Sequence, residues 1–256
     1  MDGHNAWQLL GLGSIAGVIP IYAGIAAALL AQKIASRSCE GFLTGISTGI
    51  LVYLFFDLMH EAVEQTTAQD PVSWLAFLGS VLIGFLGLVA LEQQLQGRNR
   101  SESSTNLFLP YMISMGLGLH NLGEGLAIGA SYAQGAWTLS GLLVGGFALH
   151  NGTEGFAIVA SAGKSKLPFK ESVLMGLVAG APTCLGAVFS GLVVSPYLTI
   201  TFYALAAGSL LYVIFSLITI FYTATRRMQT ASGVFAGMSL MYVTAMILTL
   251  VTGIKS

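Results

Sequence analysis

The stretches GLGLHNLGEGLAIG (Gly116–Gly129) and GFALHNGTEGFAIV (Gly146–Val159) each set His-Asn-x-x-Glu-Gly inside otherwise apolar sequence, thirty residues apart. Their flanks continue as apolar runs in both directions, so the polar residues fall inside membrane-length segments and not in the loops between them. The whole chain has this character: 256 residues, 55% hydrophobic and 8% charged, with mean hydropathy +0.79. Soluble domains carry about 25% charged residues, so the composition implies an integral membrane protein in contact with lipid. A hydrocarbon core of about 30 Å takes roughly twenty residues of helix, and eight such spans are predicted, near 6–32, 40–65, 73–96, 107–132, 137–162, 170–193, 198–222 and 230–252. The expected fold class is all-α: eight transmembrane helices in one compact bundle, a single domain over residues 1–256. The 32 glycines fit it, because small residues let membrane helices approach closely.

Several function classes are disfavoured by what the chain lacks. The one hydrophilic segment of any length, Gln96 to Asn106, reads as a flexible loop and leaves no room for a soluble domain. Residues 1–8 hold no Lys or Arg, so the first apolar run reads as a retained helix and not as a cleaved leader. Cys39 and Cys184 stand in different spans and form no Cys-x-x-Cys motif. A net charge of −1 argues neither for nor against any partner, and no basic stripe is present that could serve nucleic acid. No P-loop is present to drive pumping with ATP.

Charge position is more informative than charge total. With the N-terminus outside, nine of the ten basic residues fall in cytoplasmic loops: Lys33, Arg37, Arg98, Arg100, Lys164, Lys166, Lys170, Arg226 and Arg227. Only Lys255 lies on the other side, so the positive-inside rule supports a multi-pass protein with both termini outside.

The two motifs fall in the fourth and fifth spans, antiparallel neighbours joined by a turn around 133–136. His120 and His150 are each fifteen residues from Gly135, which brings them to similar depth. Within each copy, His and the Glu four residues on share a helix face, while the Asn lies about 100° around it. Acidic groups at a helix centre cost roughly 2.5–3.5 kcal/mol even on insertion scales, and a divalent cation is the natural counterpart. His120, Asn121, Glu124, His150, Asn151 and Glu154 are therefore the candidate metal ligands. Imidazole with carboxylate suits Zn²⁺, Fe²⁺ or Mn²⁺, and the absence of thiolate argues against a soft monovalent ion. One such motif would read as well as an interhelical hydrogen-bond clasp; two at matched depth favour metal.

The second span adds Asp57, His60, Glu61 and Glu64 at spacings of three, four and seven, an acidic stripe near the outer end that serves as a candidate entrance. Glu92 and Glu171 read as solvated charges at helix ends, His4 as a free terminal side chain, and Pro20, Pro168, Pro182 and Pro196 as kinks or helix ends.

On HNLGEG, HNGTEG, the eight spans and LMHEAVE (58–64), the sequence resembles the ZIP (Zrt-, Irt-like protein) divalent-metal transporters, specifically their bacterial GufA-like branch. The resemblance implies transport of Zn²⁺, and also Fe²⁺, Mn²⁺ or Cd²⁺, into the cytoplasm across the cell (inner) membrane. The metal would be cargo and no resident cofactor is implied, nor an enzymatic activity; a homodimer is. The family relates its first three helices to its last three by an inverted repeat, which is not visible in this sequence. One departure stands out. Many members carry a sixth-helix Glu that contributes to a second metal position, whereas GAPTCLGAVFSG (Gly180–Gly191) places Thr183 there, with Cys184 beside it. A second metal position is thereby put in doubt.

On this reading a hydrated cation enters past Asp57 and Glu61, exchanges water for the paired ligands, and leaves inward by alternating access. Protons compete, because the ligands bind deprotonated. The rival is an intramembrane metal-dependent enzyme using the same ligands, with Asp57 and His60 completing an open site. Against it, no His-Glu-x-x-His motif occurs and the chain holds only four histidines.

Overall fold

A computed structural model describes residues 3–34, 37–67, 69–98, 105–162, 167–190, 195–222 and 227–252, and among them no strand occurs. The helices are α1 (Gly3–Gly13), α2 (Ile19–Ile34), α3 (Arg37–Glu64), α4 (Pro71–Arg98), α5 (Thr105–Ala133), α6 (Trp137–Ser161), α7 (Phe169–Phe189), α8 (Pro196–Phe221) and α9 (Arg227–Thr252). A π-helical turn, Ser14–Val18, links α1 to α2 and makes them one rod, the predicted first span. Prolines mark the boundaries as expected: Pro71 and Pro196 open helices and Pro168 caps one, where a missing N–H costs nothing. Pro182 and Pro110 instead sit inside α7 and α5.

Six of the described helical rods are long and apolar enough to cross a membrane: 6–32, 41–64, 71–96, 169–189, 197–220 and 227–247. This is the pattern of a multi-pass membrane protein. α5 and α6 are long enough, at 29 and 25 residues, but each carries His, Asn and Glu at mid-helix, which lowers its apolarity. Of the basic residues read as cytoplasmic, Arg100, Lys164, Lys166 and Arg226 lie outside the described residues, as does Lys255. The side chains of His4, Lys33, Arg37, Cys39 and Arg98 do too, and so does most of the hydrophilic loop.

α5 ends in a tight reversal. Gly135 has φ +73° and its N–H reaches Tyr132 O, while the Ala136 N–H reaches Ser131 O, the two bonds of a glycine-based helix stop. α6 then returns antiparallel to α5, and Asn121 meets Glu154.

Much of the remaining packing is carried by four parallel helix pairs, α2 with α6, α5 with α7, α3 with α9, and α4 with α8, while α8 also packs on α3 and α5. Glycines set the approach. A methyl at Gly24 would overlap Gly152 O and one at Gly155 would overlap Ile21 O; in the second pair, Gly186 stands against Leu122 O and Gly125 against Thr183 O. The four pairs map onto one another when spans one to three are exchanged with six to eight and span four with span five. Gly155 and Gly125 each follow their histidine by five residues, and Pro20–Gly24 matches Pro182–Gly186 in spacing. The helix pairing is thus symmetric under this exchange, a correspondence the sequence did not reveal. Gly155→Val is expected to force α2 and α6 apart and destabilise the fold by about 1–3 kcal/mol, as overpacking does. Gly141→Val, where nothing lies within 4 Å of the new carbon, is expected to melt like the wild type in detergent.

Candidate metal centre

The two motifs meet in the core between α5 and α6. His120, Glu124, His150 and Glu154 are 2%, 3%, 3% and 0% exposed, and Asn121 and Asn151 are fully buried. Glu124 Oε1 is the focus. It contacts His150 Nε2, lies 3.2 Å from His120 Nε2, and the second carboxylate oxygen accepts from Asn151 Nδ2 at 2.8 Å. Glu154 Oε2 accepts from Asn121 Nδ2 at 2.9 Å, and its Oε1 is 3.6 Å from His120 Nε2. The imidazole centroids are 6.1 Å apart.

This differs in one respect from a pairing of His with Glu within each copy. His120 faces its own Glu124 one turn on, but His150 pairs with Glu124 across the helix interface and not with Glu154. Register explains it: the pairs Asn121–Glu154 and Glu124–His150 centre the antiparallel crossing near Trp137, not Gly135. Glu124 thus comes level with His150.

One ligand atom each from His120, Glu124 and His150 lies within 4.8 Å of the others. Ligand bonds of about 2.0–2.2 Å bridge such a gap with small side-chain movement. The unmet polar atoms point the same way. Seven buried side-chain atoms among the described residues lack a hydrogen-bond partner, and six belong to His120 (both ring nitrogens), Asn121 Oδ1, Asn151 Oδ1, Glu154 Oε1 and Thr183 Oγ1. Each such group costs about 1–3 kcal/mol, a cost that a bound cation at this place would relieve. The centre is a buried His/Glu/His cluster compatible with a metal site.

A cavity of about 370 Å³ leads to it from the end of the bundle where α5 turns into α6. Gln134 and Leu139 line its mouth, Asp57, Glu61, Leu58, Phe147 and Tyr203 its walls, and His120 and Glu124 its floor. Beyond the floor, among the described residues, lies packed apolar core. Leu117 and Ile158, one turn farther along α5 and α6, and Met175 and Ala179 on α7 are all fully buried.

The acidic stripe of α3 divides. Asp57 and Glu61 line the cavity, whereas His60 and Glu64 pair with each other at 3.3 Å on the exposed surface. His60 is not among the residues that line the cavity. Thr183 is fully buried beside the centre; its hydroxyl stands against Gly17 of the π turn. Glu92 and Glu171 are not merely solvated: the Tyr212 hydroxyl donates to Glu92 at 3.1 Å and the Tyr111 hydroxyl donates to Glu171. Cys184 Sγ lies 3.5 Å from Ser14 Oγ, between α7 and the π turn and away from the cluster. Sequence reading missed Tyr203 and Phe147, which carry no motif signal and reach the cavity only through helix packing.

No protein-family model matches the chain, and none of the curated proteins matches it.

Proposed function

We propose that the protein carries divalent first-row cations across a membrane through the His120–Glu124–His150 cluster, as a ZIP-like transporter. The observation that supports this reading is the cavity lined at one end by His120 and Glu124, with Leu117, Ile158, Met175 and Ala179 packed as apolar core beyond it. A seat reached from one face and closed to the other is what one state of an alternating-access carrier requires. Two imidazoles and one carboxylate leave coordination positions for water or for Glu154, so the cation can be exchanged. The unpartnered Asn121 and Asn151 oxygens supply further weak ligands. Zn²⁺ fits the donor set best, with Fe²⁺, Mn²⁺ and Cd²⁺ as competitors. The positive-inside distribution puts the cavity mouth outside and makes the direction inward. The cation is cargo, and catalysis is not part of the proposal.

Asp57 and Glu61 would concentrate cations at the mouth. Asp57→Asn with Glu61→Gln is expected to lower uptake several-fold at subsaturating metal, and the deficit is expected to shrink as salt is raised; initial rates across an ionic-strength series check this.

Proteoliposomes test the proposal itself. Saturable Zn²⁺ influx that is lost in Glu124→Ala/Glu154→Ala supports it. Absence of influx for all four metals, with the protein folded and inserted, overturns it and leaves the enzyme reading in its place.

A further inference from the structure

The π turn lies in the rod that packs against α6 beside the cluster and ends two residues before Pro20. Residue 20 is proline, which has no N–H to give the carbonyl four residues back and whose ring crowds that carbonyl. The carbonyl is Ala16 O. The backbone takes a wider turn over Ser14–Val18, in which the Ile19 N–H reaches Ser14 O. Ala16 O, on a fully buried residue, then accepts from Asn151 Nδ2 at 3.0 Å. The other Asn151 amide hydrogen goes to Glu124 Oε2 at 2.8 Å. Both neighbours are pure acceptors, so only one orientation of the carboxamide satisfies them.

We propose that Pro20 is a positioning residue of the centre: by leaving Ala16 O without its helix N–H it lets that carbonyl tilt out of the helix toward Asn151, which in turn aims Glu124 at the two imidazoles. The inference rests on the cluster being the cation's seat. Its counterpart under the exchange of spans lacks the device. Asn121 Nδ2 reaches Ala179 O at 3.1 Å, but α7 stays α-helical through Pro182. The carbonyl that Pro182 leaves without a donor is Val178 O, which abuts Gly118 and not Asn121. The asymmetry matches the chemistry, since Glu124 and not Glu154 gathers both histidines.

The test is a titration of the full-length protein in lipid nanodiscs with Co²⁺, followed by the visible absorption of the bound ion. Pro20→Ala and Pro20→Ser both restore the N–H, and using two replacements guards against one that folds poorly. Each is expected to weaken Co²⁺ binding roughly 10–100-fold, the usual loss on disturbing a group that orients a ligand, and to alter the band shape. Pro182→Ala is expected to bind like the wild type. In the double variant Pro20→Ala/Asn151→Ala, affinity is expected to be no lower than in Asn151→Ala alone, because the first change acts through the second residue. Wild-type affinity in both Pro20 variants while Asn151→Ala is impaired would overturn the inference and leave the centre standing. Additive losses in the double variant would overturn it as well. Unchanged Co²⁺ binding in Glu124→Ala would instead remove the centre on which it rests.

Discussion

Glu124→Ala is expected to reduce Zn²⁺ and Co²⁺ binding on the order of 100-fold or more, the largest single effect in the molecule. Glu124 alone touches both imidazoles and Asn151. Removing it takes the carboxylate shared by both imidazoles and leaves the Asn151 amide without its acceptor. Breaking a buried charge-assisted set costs about 3–5 kcal/mol, and each 1.4 kcal/mol is about tenfold in affinity. Glu154→Ala is expected to cost less, because Glu154 lies outside the three-atom cluster and is held by Asn121. Titrations of both variants with Co²⁺ give the ranking, and thermal unfolding in the absence of metal separates ligand loss from misfolding.

The second large effect concerns selectivity. In His120→Asn/His150→Asn the nitrogen ligands are replaced by carboxamides, and the set becomes carboxylate and carbonyl oxygen. Such donors favour Mn²⁺ and harder ions, whereas imidazole favours Zn²⁺. The Zn²⁺-over-Mn²⁺ preference is expected to fall roughly tenfold or more, about 1.4 kcal/mol or more on the affinity scale. Competition of unlabelled Mn²⁺ against radioactive Zn²⁺ reads this directly. An unchanged ratio, with total binding merely lowered, would mean that the histidines shape the pocket without ligating.

Much of this was legible in the sequence, for identifiable reasons. Apolar runs of membrane length leave few choices but helices, since every backbone polar group must be satisfied internally. A doubled His-Asn-x-x-Glu around one short turn brings the same residues together in any antiparallel arrangement, and His120, Glu124 and His150 do meet. What was hidden depends on packing across long sequence separations. The choice of Glu124 as the shared partner follows from a register set by how α5 leaves its glycine stop, and motif spacing alone centres that register elsewhere. The pairing of the first span with the fifth and of the fourth with the sixth rests on backbone contacts at Gly24, Gly155, Gly125 and Gly186. Those residues look like any others among 32 glycines. Pro-x-x-x-Gly at 20–24 and at 182–186 was the visible trace of the correspondence, too short to stand out before the helices were placed. The division of the α3 stripe was not readable, because Asp57, His60, Glu61 and Glu64 share one face at spacings of three, four and seven. Which of them line the cavity depended on the neighbouring helices.

X-ray absorption at the zinc edge, on full-length protein loaded with one equivalent of Zn²⁺, tests the buried centre most directly. The expected spectrum has only nitrogen and oxygen in the first shell, at about 2.0–2.2 Å, with the outer-shell pattern of two imidazoles. That pattern is expected to vanish in Glu124→Ala. A sulfur shell at about 2.3 Å, from Cys184 or Cys39, or a spectrum without histidine, would place the metal elsewhere and contradict the assignment of His120, Glu124 and His150 as its seat.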